Sequence, residues 1–140
     1  MKIILSLILL FLPGLSIHNA KKQESVKLST FKDVPEELMG CGDNCYLNGK
    51  DKTHNILICR TDYSIAFIHL NNRSIRLQAD DKVSHHKNEE IYINGQYILS
   101  LQKIFNNQVD SEDYDFSGLI TIRLGSRIIY QQKVIGEGGC

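Results

Sequence analysis

The sequence predicts an all-β fold, a small antiparallel barrel or sandwich of about seven strands stapled by disulfides. Three observations predict it. From Cys41 onward, short β-branched and aromatic runs are punctuated by Asn, Gly and Asp, the pattern of strands joined by tight turns. Within those runs the apolar residues recur with a period of two rather than about 3.6. Four cysteines lie in a chain of 140 residues whose start reads as an export signal, and disulfides are the default state of cysteines in exported proteins.

The signal comes first. Lys2 supplies a basic n-region, Ile3 to Leu12 form an apolar run, and Pro13-Gly14 breaks it ahead of the cleavage zone. That run is shorter than the roughly 20 apolar residues needed to span a bilayer. Cleavage after Ser16, or after Ala20, puts a small residue at the last position. The expected location is therefore periplasmic or secreted, with no stable membrane anchor. Residues 21–40 are polar and read as a leader, flexible or loosely draped, in which Pro35 to Met39 can start one helical turn.

The domain proper begins at Cys41. Tyr46-Leu47 and Ile56 to Cys59 read as a hairpin through Asn48-Gly49. Tyr63 to Leu70 turns through Asn71-Asn72 into Arg73 to Leu77, because Asn tolerates the positive φ of a type I′ turn. Glu90 to Ile93 leads through Asn94-Gly95 to a long strand, Tyr97 to Phe105. Ser117 to Leu124 and Arg127 to Ile135 are joined by Gly125-Ser126, with Gly at the first position of a type II′ turn. Ala79 to Glu89 and Asn106 to Asp115 are the two long polar loops.

Cys41, Cys45, Cys59 and Cys140 allow three pairings. The expected set is Cys45 with Cys59, tying a hairpin, and Cys41 with Cys140, clamping the end of the chain to the start of the domain. In the chain-entropy account a 15-residue loop is worth roughly 3 kcal/mol and a 100-residue loop roughly 4 to 5. The metal alternative, zinc on Cys41, Cys45, Cys59 and either His54 or Cys140, lacks a second closely spaced ligand pair. A redox reading is weaker still, since Cys-x3-Cys is not the two-residue spacing of thiol oxidoreductases.

Charge and motifs narrow the function classes. The 16 basic and 16 acidic residues balance, and loss of Lys2 with the signal leaves −1, without the basic stripe that nucleic acid or an anionic membrane requires. The acidic run from Asp110 to Asp115 lacks the Gly and Glu of a calcium loop. His85 and His86, adjacent in a charged loop, point opposite ways on an extended chain. His69 on a strand is expected to pack rather than act as a base. Asn72-Arg73-Ser74 matches a glycosylation sequon inside a tight turn. No nucleophile elbow, zinc-protease motif or phosphate loop occurs, so no catalytic residue, cofactor site or metal site is assigned. The expected activity is binding to a protein or envelope component through the two polar loops, with His85, His86, Asp113 and Asp115 as candidate contacts. A carboxylate-dependent envelope hydrolase is the alternative, and a metal or redox protein the third reading.

The run Cys41-Gly-Asp-Asn-Cys45, the hairpin Ala66-Phe-Ile-His-Leu-Asn-Asn-Arg-Ser-Ile-Arg-Leu77 and the ending Val134-Ile-Gly-Glu-Gly-Gly-Cys140 resemble small exported cysteine-containing bacterial β proteins of unassigned function. The resemblance spans most of residues 41–140 and brings no active site with it. A more distant likeness, in size, compartment and fold, is to the periplasmic inhibitors of c-type lysozyme. It implies an inhibitor-like mode of binding, although the Ser-rich and Gly-rich recognition loop of those proteins has no counterpart here.

Overall fold

The computed structural model describes residues 26–81 and 88–140. The expected signal segment therefore lies outside the described residues, as do His85 and His86. Period-two alternation is realised in eight strands: β2 (Gly42–Tyr46), β3 (Cys59–Thr61), β4 (Ile65–Leu70), β5 (Arg73–Ala79), β6 (Glu89–Asn94), β7 (Tyr97–Gln108), β8 (Tyr114–Leu124) and β9 (Arg127–Gly139). Each pairs antiparallel with the next, and β9 returns to β2 with Gly42 opposite Gly139 and Tyr46 opposite Ile135. The sheet is a closed up-and-down barrel. A ninth short strand, β1 (Leu28–Ser29), precedes it, so the count is nine rather than about seven.

Turn chemistry follows the residues with two corrections. Asn71 and Asn72 both adopt positive φ, 51° and 61°, as a type I′ turn demands. Gly125 has φ 60° while Ser126 is outside the left-handed region, as in type II′. Between β6 and β7 the two-residue loop is Gly95-Gln96, because Asn94 still pairs with Tyr97; the expected turn lay one residue earlier. Asn48-Gly49 is not a hairpin turn. Asn48 caps a short helix, α1 (Gly49–Thr53), by accepting a hydrogen bond from the Asp51 amide at 3.0 Å; Asn-Gly serves here as an N-cap signal rather than a turn signal. The hairpin partners are β2 and β3, with Cys45 opposite Cys59.

Inside the barrel, Ile68, Leu77, Tyr92, Leu99, Leu101, Phe116, Ile120, Ile122 and Val134 form one buried cluster. Gly136 is required by it, since a β-carbon there would collide with the Phe116 ring. A second cluster lies on the outer face, where Phe31 and Leu38 cover Tyr46, Leu57 and Phe67. Residues 26–40 thus pack against the barrel, where a polar leader had been expected. Leu28 and Ser29 extend the ladder beside Leu70 and His69, and Phe31 stacks on the His69 ring at 4.8 Å. Arg60 holds the segment down: its buried guanidinium donates to the carbonyls of Leu38 (2.8 and 3.0 Å) and Gly40 (2.6 Å) and to Asn44 Oδ1 (3.1 Å).

Cys41 and Cys140 form a disulfide across 99 residues. Cys45 and Cys59, expected to form the second, are free thiols in the structure. They face each other in the barrel interior, where the hydrogen bond between them and their burial push the Cys45 thiol well above its ordinary pKa. Held neutral in this way, the pair packs as two small apolar side chains.

Candidate functional site at the barrel mouth

Alternating strand direction sorts the connections between two ends of the barrel. The tight turns at Asn71-Asn72, Gly95-Gln96 and Gly125-Ser126 lie at one end. The start of β2, the β3–β4 corner, the end of β5, the start of β6, the β7–β8 loop, the end of β9 and the Cys41–Cys140 disulfide lie at the other, here called the mouth.

Three charged side chains point inward just below it. Asp43 is in phase with Cys45 on β2, Glu90 with Tyr92 on β6, and Lys103 with Leu99 and Leu101 on β7. Lys103 Nζ lies 2.7 Å from Asp43 Oδ2 and also donates to Glu90 Oε1. The Tyr114 hydroxyl donates to Asp43 Oδ1 at 2.5 Å, and the Tyr92 hydroxyl to Glu90 Oε2 at 2.6 Å. Side-chain exposure is 0% for Asp43, 5% for Lys103 and 19% for Glu90, so the trio is desolvated. Charges taken out of water this far persist only when paired and fully hydrogen-bonded. Burial, reinforced by Asp43, raises the Glu90 pKa. Burial pulls Lys103 down, but the two carboxylates outweigh it and lift the ammonium above its ordinary pKa.

Aromatic rings close over this trio. The centroids of Tyr63, Phe105, Tyr114 and Phe116 lie 5.5 to 5.9 Å from Lys103 Nζ, within cation–π range. Tyr63 is held at φ 70°, a conformation that is costly for a bulky residue. Asp62 sustains it: Oδ1 accepts from the amides of Ser64 (2.9 Å) and Ile65 (2.6 Å). The turn thereby brings the Tyr63 hydroxyl within 3.1 Å of that of Tyr114.

The expected contact residues separate. Asp113 is exposed in the β7–β8 loop, in a turn organised by Asp110, whose carboxylate accepts from the amides of Glu112 and Asp113 at 2.8 Å each. Those bonds lower the Asp110 pKa, and its charge raises that of Asp113. Asp115 lies on β8 and pairs with Lys52 of α1 at 2.9 Å; Lys52 also reaches Glu137 at 3.2 Å. Asp115 thus fixes the helix to the barrel wall. Beside the disulfide opens a cleft of about 510 Å³ whose walls include Asp113, Tyr114, Asp115 and Glu137. A larger groove of about 810 Å³ runs along β7, β8 and β9 past Ile104, Leu119 and Ile135.

Exposed apolar surface gathers at the same end. Among the described residues six large apolar side chains are exposed, and four of them, Tyr63, Ile104, Phe105 and Val109, belong to the upper β7 strand or the mouth loops.

The buried phenols set the alkaline limit of the fold. Burial is the main cause that raises the pKa of Tyr46, Tyr92, Tyr114 and Tyr130, so the native state keeps these protons where an unfolded tyrosine, with pKa about 10, has released them. Stability must then fall as pH rises above about 10, because the native state binds more protons than the unfolded one. Circular dichroism and phenolate absorbance followed from pH 8 upward should show one cooperative alkaline transition. Phenolate absorbance that reaches its full amplitude while the dichroism is still native would refute it.

No family model matches this chain, and no curated protein and no solved structure matches it.

Proposed function

We propose that the chain is an exported binding protein, inhibitor-like in mode, that uses the mouth of its barrel to engage a protein of basic surface. The observation that carries this reading is the concentration of exposed Tyr63, Phe105 and Val109 beside the acidic turn Asp110, Glu112 and Asp113. An apolar and aromatic centre with a charged rim is the anatomy of a protein interface, and acidic rims favour and steer basic partners. The Cys41–Cys140 bond supports a periplasmic or secreted location. Strain at Tyr63 supports function at this end, because such backbone persists where surrounding structure imposes it.

The test combines three exposed positions. Asp110 is left intact because its carboxylate builds the turn; Val109→Ser, Glu112→Lys and Asp113→Lys are made together. Binding is measured by calorimetry at two salt concentrations, with a c-type lysozyme as the defined probe and cationic envelope proteins beside it. The wild type should bind a basic protein more weakly as salt rises, and the variant should lose roughly tenfold in affinity at an unchanged melting temperature. Equal binding by the variant, or affinity indifferent to salt, would remove the mouth as the interface. Binding to other basic proteins but not to lysozyme would discard only the lysozyme-inhibitor version.

A further inference from the structure

We propose that Asp43 and Lys103 condense into an intramolecular amide, with Glu90 as the group that moves the protons. The inference rests on the trio alone and is independent of the binding reading. An amine nitrogen held 2.7 Å from an oxygen of the carboxyl group that it would attack, in a desolvated pocket, has the fixed proximity from which intramolecular reactions gain their advantage over reactions in solution. Three features separate this set from an ordinary buried ion pair.

The first is a second carboxyl group on the same nitrogen. Glu90 Oε1 accepts from Lys103 Nζ, so a proton acceptor is in place at the atom that must lose protons before it can attack. Burial favours the neutral form of this carboxyl, which suits a group that takes up a proton and hands it on. The second is a donor on the far oxygen. Tyr114 donates to Asp43 Oδ1, the oxygen that becomes the amide carbonyl, and stabilises the charge that builds there when Cγ turns tetrahedral. The third is exclusion of water. Asp43 is fully buried, and the rings of Tyr63, Phe105, Tyr114 and Phe116 surround the ammonium. Hydrolysis of the product is thereby suppressed and the released water has reason to leave.

The step balances without an outside reactant. Lys103 begins as an ammonium and Asp43 as a carboxylate. Glu90 accepts one proton from Nζ; the freed lone pair attacks Asp43 Cγ; Glu90 passes that proton to Oδ2. It then accepts a second proton from the nitrogen and delivers it to the same oxygen. The Cγ–Oδ2 bond breaks, one water departs, and the nitrogen keeps one hydrogen in the new amide. No electron is lost or gained, and Glu90 ends in the state in which it began. Two opposite charges that cost desolvation energy are replaced by a neutral group. The product bridges β2 and β7 across the barrel interior beneath the mouth.

Mass decides it. The folded mature protein is reduced, alkylated, denatured and weighed, then digested and sequenced by tandem mass spectrometry. The expected chain is lighter by one water than its formula, with a branched peptide joining the segments that carry Asp43 and Lys103. Lys103→Arg and the near-isosteric Glu90→Gln should each restore the full mass. Full mass and separate linear peptides in the folded wild type would overturn the proposal. So would a water loss confined to a linear peptide. The wild-type result stands whether or not either variant folds.

Discussion

Measured against the ion-paired form of the trio, replacing Lys103 with alanine is expected to lower the unfolding free energy by about 3 to 5 kcal/mol, the usual cost of leaving a buried charge without its partner. Asp43 has no exposed surface and Glu90 has little; once the ammonium is gone, two carboxylates face each other in a pocket walled by aromatic rings. Domains of this size are stable by only about 5 to 15 kcal/mol, so the variant should be barely folded at neutral pH. It should recover in part as acid protonates Glu90, whose carboxyl burial already holds above its ordinary pKa. The contrast that isolates the cause is the triple replacement Asp43→Leu, Glu90→Leu, Lys103→Met, which removes every charge and keeps apolar volume. Urea denaturation should return much of the lost stability, since an apolar set commonly equals or exceeds the buried ion set that it replaces. A loss below about 1 kcal/mol in the alanine variant, the range of a surface ion pair, would show that water reaches the trio.

The alternation that makes the barrel legible also carries the signal for this trio. Leu99 and Leu101 mark the inward phase of β7, and Lys103 continues it; Glu90 shares its phase with Tyr92, and Asp43 with Cys45. A charged residue in the apolar phase of a strand is either misplaced or paired inside, and three of them on three strands ask for one another. The sequence could not show that β2, β6 and β7 meet at one height inside a closed sheet, because that depends on register around the whole barrel. The Asn71-Asn72 and Gly125-Ser126 hairpins were readable because their turn residues act locally. Asn48-Gly49 is ambiguous in sequence because the same residue types cap helices as well as make turns. Residues 26–40 looked like a leader because Leu28, Phe31 and Leu38 follow no regular period. Their partners are distant in sequence: Leu28 lies beside Leu70, Phe31 beside Leu57 and the His69 ring, and the Leu38 and Gly40 carbonyls accept from Arg60, 22 and 20 residues away; nothing local announces that. Of the candidate contacts, Asp113 stands exposed at the mouth, while Asp115 is drawn to the wall by Lys52, whose place follows from the unforeseen helix.

Removal of the Cys41–Cys140 bond should cost at least as much as loss of Lys103, and for a different reason. Cys41 immediately precedes β2 and Cys140 immediately follows β9, the two strands whose pairing closes the barrel. The ladder between them runs five residue pairs and includes Gly42, Gly136, Gly138 and Gly139, residues that lose more conformational freedom on folding than any others. The seam is therefore costly to order, and the disulfide pins it at the mouth. With a sequence separation of 99 between the cysteines, the loop-entropy account gives about 4 to 5 kcal/mol for the bond. The Cys41→Ser, Cys140→Ser variant should show that loss in urea denaturation, with hydrogen exchange fastest along β2 and β9. A variant within about 1 kcal/mol of the wild type would mean that the ladder alone closes the barrel, since typical disulfides contribute about 2 to 4 kcal/mol. The proposed amide changes the size of this effect in a measurable way. A link from Asp43 to Lys103 bypasses the residues between them and more than halves the loop that the disulfide closes. Each halving removes about 0.6 kcal/mol of closure entropy. Breaking the disulfide should then cost less in the wild type than in a Lys103→Arg background, where the loop has its full length. Equal costs in the two backgrounds would mean that no link shortens the loop.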